Sequence, residues 1–370
     1  MKKKFLAMAF ALGVMIPSAF MLTACEHEHK YGEWTTKTAA TCESAEIEHR
    51  TCECGEEQTR TGDPATGHTY SIDWSTNATH HWKEATCGHS ATSEFATHVD
   101  TNTDDICDTC LHGAVAQIGT NYYSTLEKAL TAAENNATIT LVNNIVINKC
   151  VEITKNITID GQSRFSIINS NTFDREGVEN PNMFTLNTAN TTFTLKNVNV
   201  DAKEESRIIK VTAGTFKVDG ANLTGGKADT FAGGVFITNA GRFEMTSGTI
   251  QGNKVSTEYA SDNYVQYTAD LWIGANAEGV VQSTISGGYI ENAFINANEH
   301  SATNAGDFTL DGGTIKNIYV EYDDFGAKFI FTSGVVEKLY LSTTTTGTAQ
   351  VITTPTADHT YIGGEGSLDA

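Results

Sequence analysis

The sequence predicts an all-β chain whose larger part is a solenoid of stacked parallel strands with an N-terminal capping helix, preceded by small Cys/His-rich modules. Two observations carry this. Over residues 137–370 a short pattern recurs: apolar, skip one, apolar, a polar turn, then apolar again. It stands at Phe243/Met245/Ile250 and returns at Phe193/Leu195/Val200, Phe216/Val218/Leu223, Phe308/Leu310/Ile315 and Phe329/Phe331/Val336, with a weaker copy at Ser283/Ile285/Ile290. The copies start 23, 27, 40, 25 and 21 residues apart. Irregular spacing of one unit means each coil absorbs insertions in a loop. The second observation is composition: all but one of the eight cysteines and nine of the eleven histidines precede residue 113, which marks a boundary between two kinds of structure.

One repeat explains the solenoid. Phe243 and Met245 alternate with Arg242 and Glu244, so the strand turns one face inward and one to water. A single such strand cannot bury its apolar face. Stacked on its neighbours at roughly 4.8 Å, it forms one layer of a continuous core. Corners at Thr246-Ser247-Gly248, Ser286-Gly287-Gly288 and Asp311-Gly312-Gly313 supply the positive φ that a sharp change of direction requires. Thirty-two Gly and only four Pro fit many corners and few interrupted ladders. An antiparallel two-sheet sandwich is the alternative arrangement of such short strands.

The wording of residues 233–253, two glycines, an apolar triple, then Gly-x-Phe-x-Met-x-Ser-Gly-Thr-Ile-x-Gly-Asn, resembles repeats of the right-handed parallel β-helix, the pectin-lyase-like class, found in many bacterial surface proteins. The resemblance spans roughly residues 137–362. It implies architecture more than activity, because the fold hosts enzymes, adhesins and inert stalks.

The N-terminus begins Met1-Lys2-Lys3-Lys4 and continues with an apolar run to Ala24. A basic start, an apolar stretch and small residues before a cut read as a secretory signal peptide over residues 1–24. The ending Leu22-Thr23-Ala24-Cys25 resembles a lipobox, which implies that Cys25 carries the lipid. The expected location is therefore extracytoplasmic, anchored to the cell membrane and exposed at the cell surface. Of 370 residues, 346 remain after such a cut. They carry 21 Lys and Arg against 45 Asp and Glu, a net −24 rather than −21 because Lys2, Lys3 and Lys4 are gone. So acidic a surface argues against nucleic acid and against direct adhesion to anionic lipid.

Residues 25–70 and 71–113 read as two Cys/His modules. The first, with His29-x-Tyr31-Gly32-x-Trp34, Cys42, Cys52-x-Cys54-Gly55 and Gly67-His68, resembles a short module repeated in tandem on Gram-positive surface proteins. About 40 residues build too small a core, so a staple is expected. Cys42, Cys52, Cys54 and His68 would complete a tetrahedral zinc site; the tight Cys52-x-Cys54 spacing leaves a disulfide as the other reading. In the second module Cys107-x-x-Cys110, with Cys87 and His98 or His89, would give another closed structural site. Asp100-x-Asn102-x-Asp104 opens like a calcium loop, but Asp105 replaces the expected glycine and Leu111 the closing glutamate.

Residues 114–136 read as a linker and one amphipathic helix. Ser124 and Glu127 form a capping box, and Leu126, Ala129, Leu130 and Ala133 share a face. The helix would plug the first coil. Strands are expected at residues 138–141, 145–147, 151–153 and 157–159. Longer loops follow at 171–181 and 256–270, where Tyr259, Tyr264 and Tyr267 are candidate ligand contacts, since aromatics on a loop stack on sugar rings or partner surfaces.

Carboxylates are abundant but scattered. Asp323-Asp324 with Lys328, and Asp174-Arg175-Glu176, are the clusters that a catalytic reading would use. The sequence therefore favours a non-catalytic surface protein, an adhesin or a binder of glycan or of a host or neighbouring surface protein. A polysaccharide lyase or glycoside hydrolase is the alternative.

Overall fold

The computed structural model describes residues 28–174, 177–178, 180–256, 269–274, 283–296, 307–321, 328–342, 349–352, 355–362 and 366–369. The chain forms two compact units, Met1–Ala96 and Thr97–Ala370. The division falls inside the stretch expected to be the second Cys/His module, so Cys107 and Cys110 belong to the unit that contains the solenoid.

The first unit holds two small antiparallel sheets. Thr35–Thr38, Ile47–Thr51 and Glu57–Thr61 make one, and Ser75–Thr76, His80–Glu84 and Thr92–Thr97 the other. Both are nearly coreless. Cys52 is the one buried apolar side chain among the described residues of this unit, while Ile47, Ile72 and Phe95 lie exposed. Aromatic and cationic side chains cover one sheet instead: Arg50 and Arg60 stack on Trp34 at 4.6 and 4.4 Å. Such contacts supply about 0.5–1 kcal/mol each at exposed sites, too little to order a module.

In the second unit the repeats are layers of one parallel β-solenoid. Phe193 pairs with Phe216, Phe216 with Phe243, Ser283 with Phe308 and Phe308 with Phe329. Glu244 pairs with Thr284, which puts Ser283 in register with Phe243. All six positions of this column are fully buried. Neighbouring rings stand 5.7 Å (Phe193–Phe216), 6.1 Å (Phe216–Phe243) and 5.8 Å (Phe308–Phe329) apart. Ser283, the irregular member, has its hydroxyl satisfied by the Phe243 backbone N–H at 3.1 Å, so the buried polar group costs little.

A second column runs Ile145, Ile167, Val200, Leu223, Ile250, Ile290, Ile315, Val336. The third wall contributes Phe184, Ile209, Val235, Leu271, Ala293, Ile318 and Leu339. Between the first two columns the chain turns at glycines. Gly248 has φ 102°, and a Cβ there would meet the Ala221 carbonyl oxygen at 2.1 Å; coil stacks on coil too closely at this corner for any side chain.

Both ends depart from parallel stacking. The strands Ala116–Ile118 and Asn121–Tyr123 form an antiparallel hairpin whose first strand also pairs antiparallel with Ala137–Leu141. The helix is Leu126–Ala132, and its cap is Thr125, whose hydroxyl accepts the Lys128 N–H at 3.1 Å. The helix is therefore shorter than expected and starts one residue later. Ser124 does not cap it, because its hydroxyl donates to the Asp104 carbonyl at 2.7 Å. Leu126, Ala129 and Ala133 are buried at the mouth of the first coil, as a plug requires. At the far end, Ala349–Ile352 and His359–Ile362 pair antiparallel with Lys328–Ser342, and Gly366–Asp369 extends the hairpin. The solenoid proper thus ends at Ser342 rather than running on to residue 370. Antiparallel strands at both ends terminate the stack and occupy its open edges.

Candidate metal centres

The donors come together in a different grouping from the one their sequence order suggests. In the first unit Cys42, His68, Cys87 and His89 converge, with all four donor atoms within 4.8 Å of one another. Local structure brings them there. The turn after the first strand is held by the Thr41 hydroxyl, which accepts the Ser44 N–H at 3.0 Å, and the Thr41 carbonyl accepts the Thr66 N–H at 2.9 Å. That carries His68 toward Cys42. The Thr86 N–H to Thr69 carbonyl bond, 2.8 Å, sets Cys87 beside His68. Gly88, at φ 82°, turns the chain so that Cys87 and His89 face the same point.

The distances suit a metal. Cys42 Sγ lies 2.9 Å from His89 Nδ1, Cys87 Sγ lies 3.1 Å from His68 Nδ1, and Cys87 Sγ lies 3.6 Å from His89 Nδ1. A tetrahedral ion with bonds of about 2.3 Å to sulfur and about 2.0 Å to nitrogen sets such edges near about 3.5 Å. Both imidazoles present Nδ1 inward, and one carboxylate stands behind both. Glu43 Oε1 is 3.9 Å from His68 Nε2, and its Oε2 is 3.7 Å from His89 Nε2. At these distances Glu43 acts on the two rings through its charge rather than through a hydrogen bond. Hydrogen bonds from His68 and then His89 draw the Cys87 thiol down to about 6, so it is a thiolate at neutral pH and ready to ligate. The Cys42 thiol is pushed up, by burial first and then by Cys87.

Cys52 and Cys54 stand apart from this set, with His29: Nδ1 of His29 is 3.3 Å from Cys54 Sγ. In the second unit His98, Cys107 and Cys110 come together, with Cys110 Sγ 3.4 Å from His98 Nδ1 and the His98 ring stacked on His112 at 4.4 Å. Burial raises the Cys107 thiol, but the N–H groups of Cys110, Thr109 and Val99 outweigh it and leave it at about 6. All eight ligands named from the sequence thus lie in Cys/His groups that can hold a metal ion, and no disulfide joins the seven described cysteines. The partition expected from chain order, Cys42 with Cys52 and Cys54, and Cys87 with Cys107 and Cys110, is replaced by one in which Cys42 and Cys87 meet. His29 and Glu43 were missed. The aspartates of the calcium-like loop are turned onto their own backbone: Asp100 accepts the N–H groups of Thr103 and Asp105 at 2.7 and 2.9 Å.

No protein-family model, curated protein or solved structure matches this chain.

On the solenoid, residues with no role in the sequence reading form an outward aromatic column. Phe236, Trp272, Phe294, Tyr319 and Tyr340 are in register on the third wall, with ring centroids 4.9 Å apart for Phe236–Trp272 and 4.8 Å for Phe294–Tyr319. Arg207 caps it, its guanidinium 4.7 Å from the Phe236 ring. These rings are 5–9% exposed, so the column is part of the packing and not an open platform. The visible signal was the apolar triple, Val235-Phe236-Ile237 or Leu271-Trp272-Ile273, in which the middle residue must point outward.

At the corner leading into that wall, Asp270 is fully buried. Its Oδ1 accepts from the Asn253 side chain at 2.8 Å and backbone at 3.0 Å, and its Oδ2 from Asn292 at 3.0 Å; Asn292 accepts from Asn317 at 3.0 Å. Burial pushes the Asp270 carboxyl up to about 6 against those hydrogen bonds. Near the first coils a polar depression of about 310 Å³ is lined by Asn136, Asn156, Ile157, Thr158, Asn190, Thr192 and Thr194. Its lining offers amides and hydroxyls, and no acid or base for proton transfer. Cys25, Tyr259, Tyr264, Tyr267, Asp323, Asp324, Arg175 and Glu176 lie outside the described residues.

Proposed function

We propose that this chain is a non-catalytic surface protein, lipid-anchored through Cys25, in which zinc-stapled Cys/His modules carry a β-solenoid that binds a glycan or a neighbouring or host surface protein. The observation that supports it best is the contrast between a four-donor Cys₂His₂ group in a unit without a core and a solenoid whose interior is filled by apolar side chains. Two thiolates and two imidazoles at tetrahedral edges favour zinc over oxygen-seeking calcium or magnesium. Four protein donors close the coordination sphere, so that ion would hold structure and perform no chemistry. With the solenoid interior filled, work falls to its outer walls, as expected of a binder or a spacer.

The test uses the full chain expressed in a bacterial host. Cys25→Ala should abolish labelling by a radioactive fatty acid and release the protein from membranes. Incubated with polygalacturonate or alginate and calcium, the protein should generate no unsaturated ends, and it should be retained on a glycan or surface-protein array. Unsaturated products would instead favour the lyase reading.

A further inference from the structure

The coils nearest the capping helix differ from the later ones in what they show to water. Ala137, Ile157 and Phe193 are in register, so the residues just before them, Asn136, Asn156 and Thr192, stack at one corner about 4.8 Å apart. On the outer face of the same wall Thr138, Thr158 and Thr194 form a second row. Farther along, both rows turn charged. Thr192 is followed by Thr215 and then Arg242, and Thr194 by Lys217 and Glu244, which pair at 3.3 Å. The neutral strip is also where the surface is hollow. The depression of about 310 Å³ that Asn156, Thr158, Asn190, Thr192 and Thr194 line meets a second, of about 420 Å³, at Asn136. Small-molecule sites occupy about 300–1,000 Å³.

The backbone holds the polar groups of this double hollow in place. Asn135 Oδ1 accepts the Asn156 N–H at 2.9 Å, and Asn156 Oδ1 accepts the Thr192 N–H at 2.6 Å. With those oxygens committed, each amide brings its two Nδ2 donors to a ligand, and threonine hydroxyls both donate and accept. Asn136 and Asn190, exposed and at φ 68° and 58°, add two more amides. Tyr123 packs on the core and borders the second depression, which sets an aromatic ring beside them. Glu134 is the one charged residue lining either depression among the described residues, and the whole chain carries −21. Such a field repels a uronate, a sulfate or a phosphate. A ligand rich in hydroxyls and without charge matches the array. We propose that the double hollow over the first three coils binds a neutral glycan, a chain of hexose or N-acetylhexosamine units. This rests on the glycan reading of the solenoid and gives it a place and a chemical class.

Isothermal titration of the full chain with cello-, laminari-, manno- and chitohexaose, and with hexagalacturonate, tests it. At least one neutral hexaose should bind, and the galacturonate should not. Thr158→Val keeps the branched shape and removes a hydroxyl, and Asn190→Gly keeps the left-handed backbone and removes an amide. Each should weaken binding about five-fold, the worth of one hydrogen bond, with the melting of the solenoid unchanged. Lys217→Ala, on the same row beyond the hollow, should leave the affinity as it is. A neutral hexaose that binds both hollow variants as tightly as the parent overturns the site and leaves the solenoid a glycan binder elsewhere. Hexagalacturonate bound as tightly as any neutral hexaose overturns the class. No binding of any neutral hexaose overturns the proposal outright, and retention of the chain on a surface-protein array would then leave the protein-binding arm of the function standing.

Discussion

The two units solve the same problem with opposite means. In the solenoid each strand hides its apolar face on the coils before and after it, and Phe193, Phe216, Phe243, Phe308 and Phe329 are all fully buried. In the unit that precedes it, strands of two to six residues make sheets with one buried apolar side chain among the described residues, Cys52. A fold of that size cannot offset its chain entropy by burial alone, and two of the Cys/His groups found among the described residues lie there. The lesson is that the chain clusters metal-type donors where apolar area is missing. Cys150, the one cysteine of the solenoid, belongs to none of the Cys/His groups found among the described residues, and its sulfur lies 3.8 Å from the Thr185 hydroxyl.

The largest effect should come from the stapled side. Cys87→Ser removes the thiolate that faces both His68 and His89. Structural zinc contributes about 10–16 kcal/mol of apparent binding free energy to small domains, so the first unit should lose cooperative folding. Limited proteolysis should then cut between residues 28 and 96 while the solenoid stays intact. Phe243→Ala makes the reciprocal cut. A truncated, fully buried Phe costs about 3–5 kcal/mol, which lowers the solenoid melting temperature by about 10 °C for a unit of this size and leaves metal content unchanged. If either variant disturbed both units equally, the division of labour would fail.

Asp270 sharpens the solenoid half. Its folded value, about 6, lies above the ordinary carboxylate value of 3.8, so between these limits the folded chain binds more protons than the unfolded one. Its contribution to stability is fully present below about pH 4 and is lost as pH rises through 6. Solenoid melting should therefore fall between pH 4.5 and pH 7.5, and the fall should shrink in Asp270→Asn. An unchanged pH profile in that variant would remove Asp270 as its source. The smallest effect should be Thr125→Ala at the helix cap, costing about 1 kcal/mol and read as faster amide exchange over Leu126–Ala132.

Much of the solenoid was legible because its first wall alternates strictly and its corners need glycine: the column from Phe193 to Phe329 is the register of the sheet. The third wall was hidden, since Phe236 and Trp272 face outward yet are apolar, so their strands read as unbroken hydrophobic runs without a period of two. The antiparallel ends were hidden too, because strand direction depends on where a connection returns and leaves no mark in a four-residue strand. For the metal groups the residue types were readable and the partition was not. Cys42 and Cys87 are 45 positions apart and meet through backbone bonds at Thr41 and Thr69, which no spacing rule encodes. Ser124 and Thr125 show the finest limit. Both are good caps by chemistry, and the Asp104 carbonyl decides between them.

Metal analysis paired with a thiol count, on the full chain purified without reductant, tests the contrast most directly. The account predicts bound zinc, with cysteines of the first unit shielded from alkylation until a chelator is added, whereupon that unit becomes protease-sensitive and the solenoid strands do not. A chain free of zinc, with those cysteines oxidised to disulfides and its proteolysis unmoved by chelator, would contradict it.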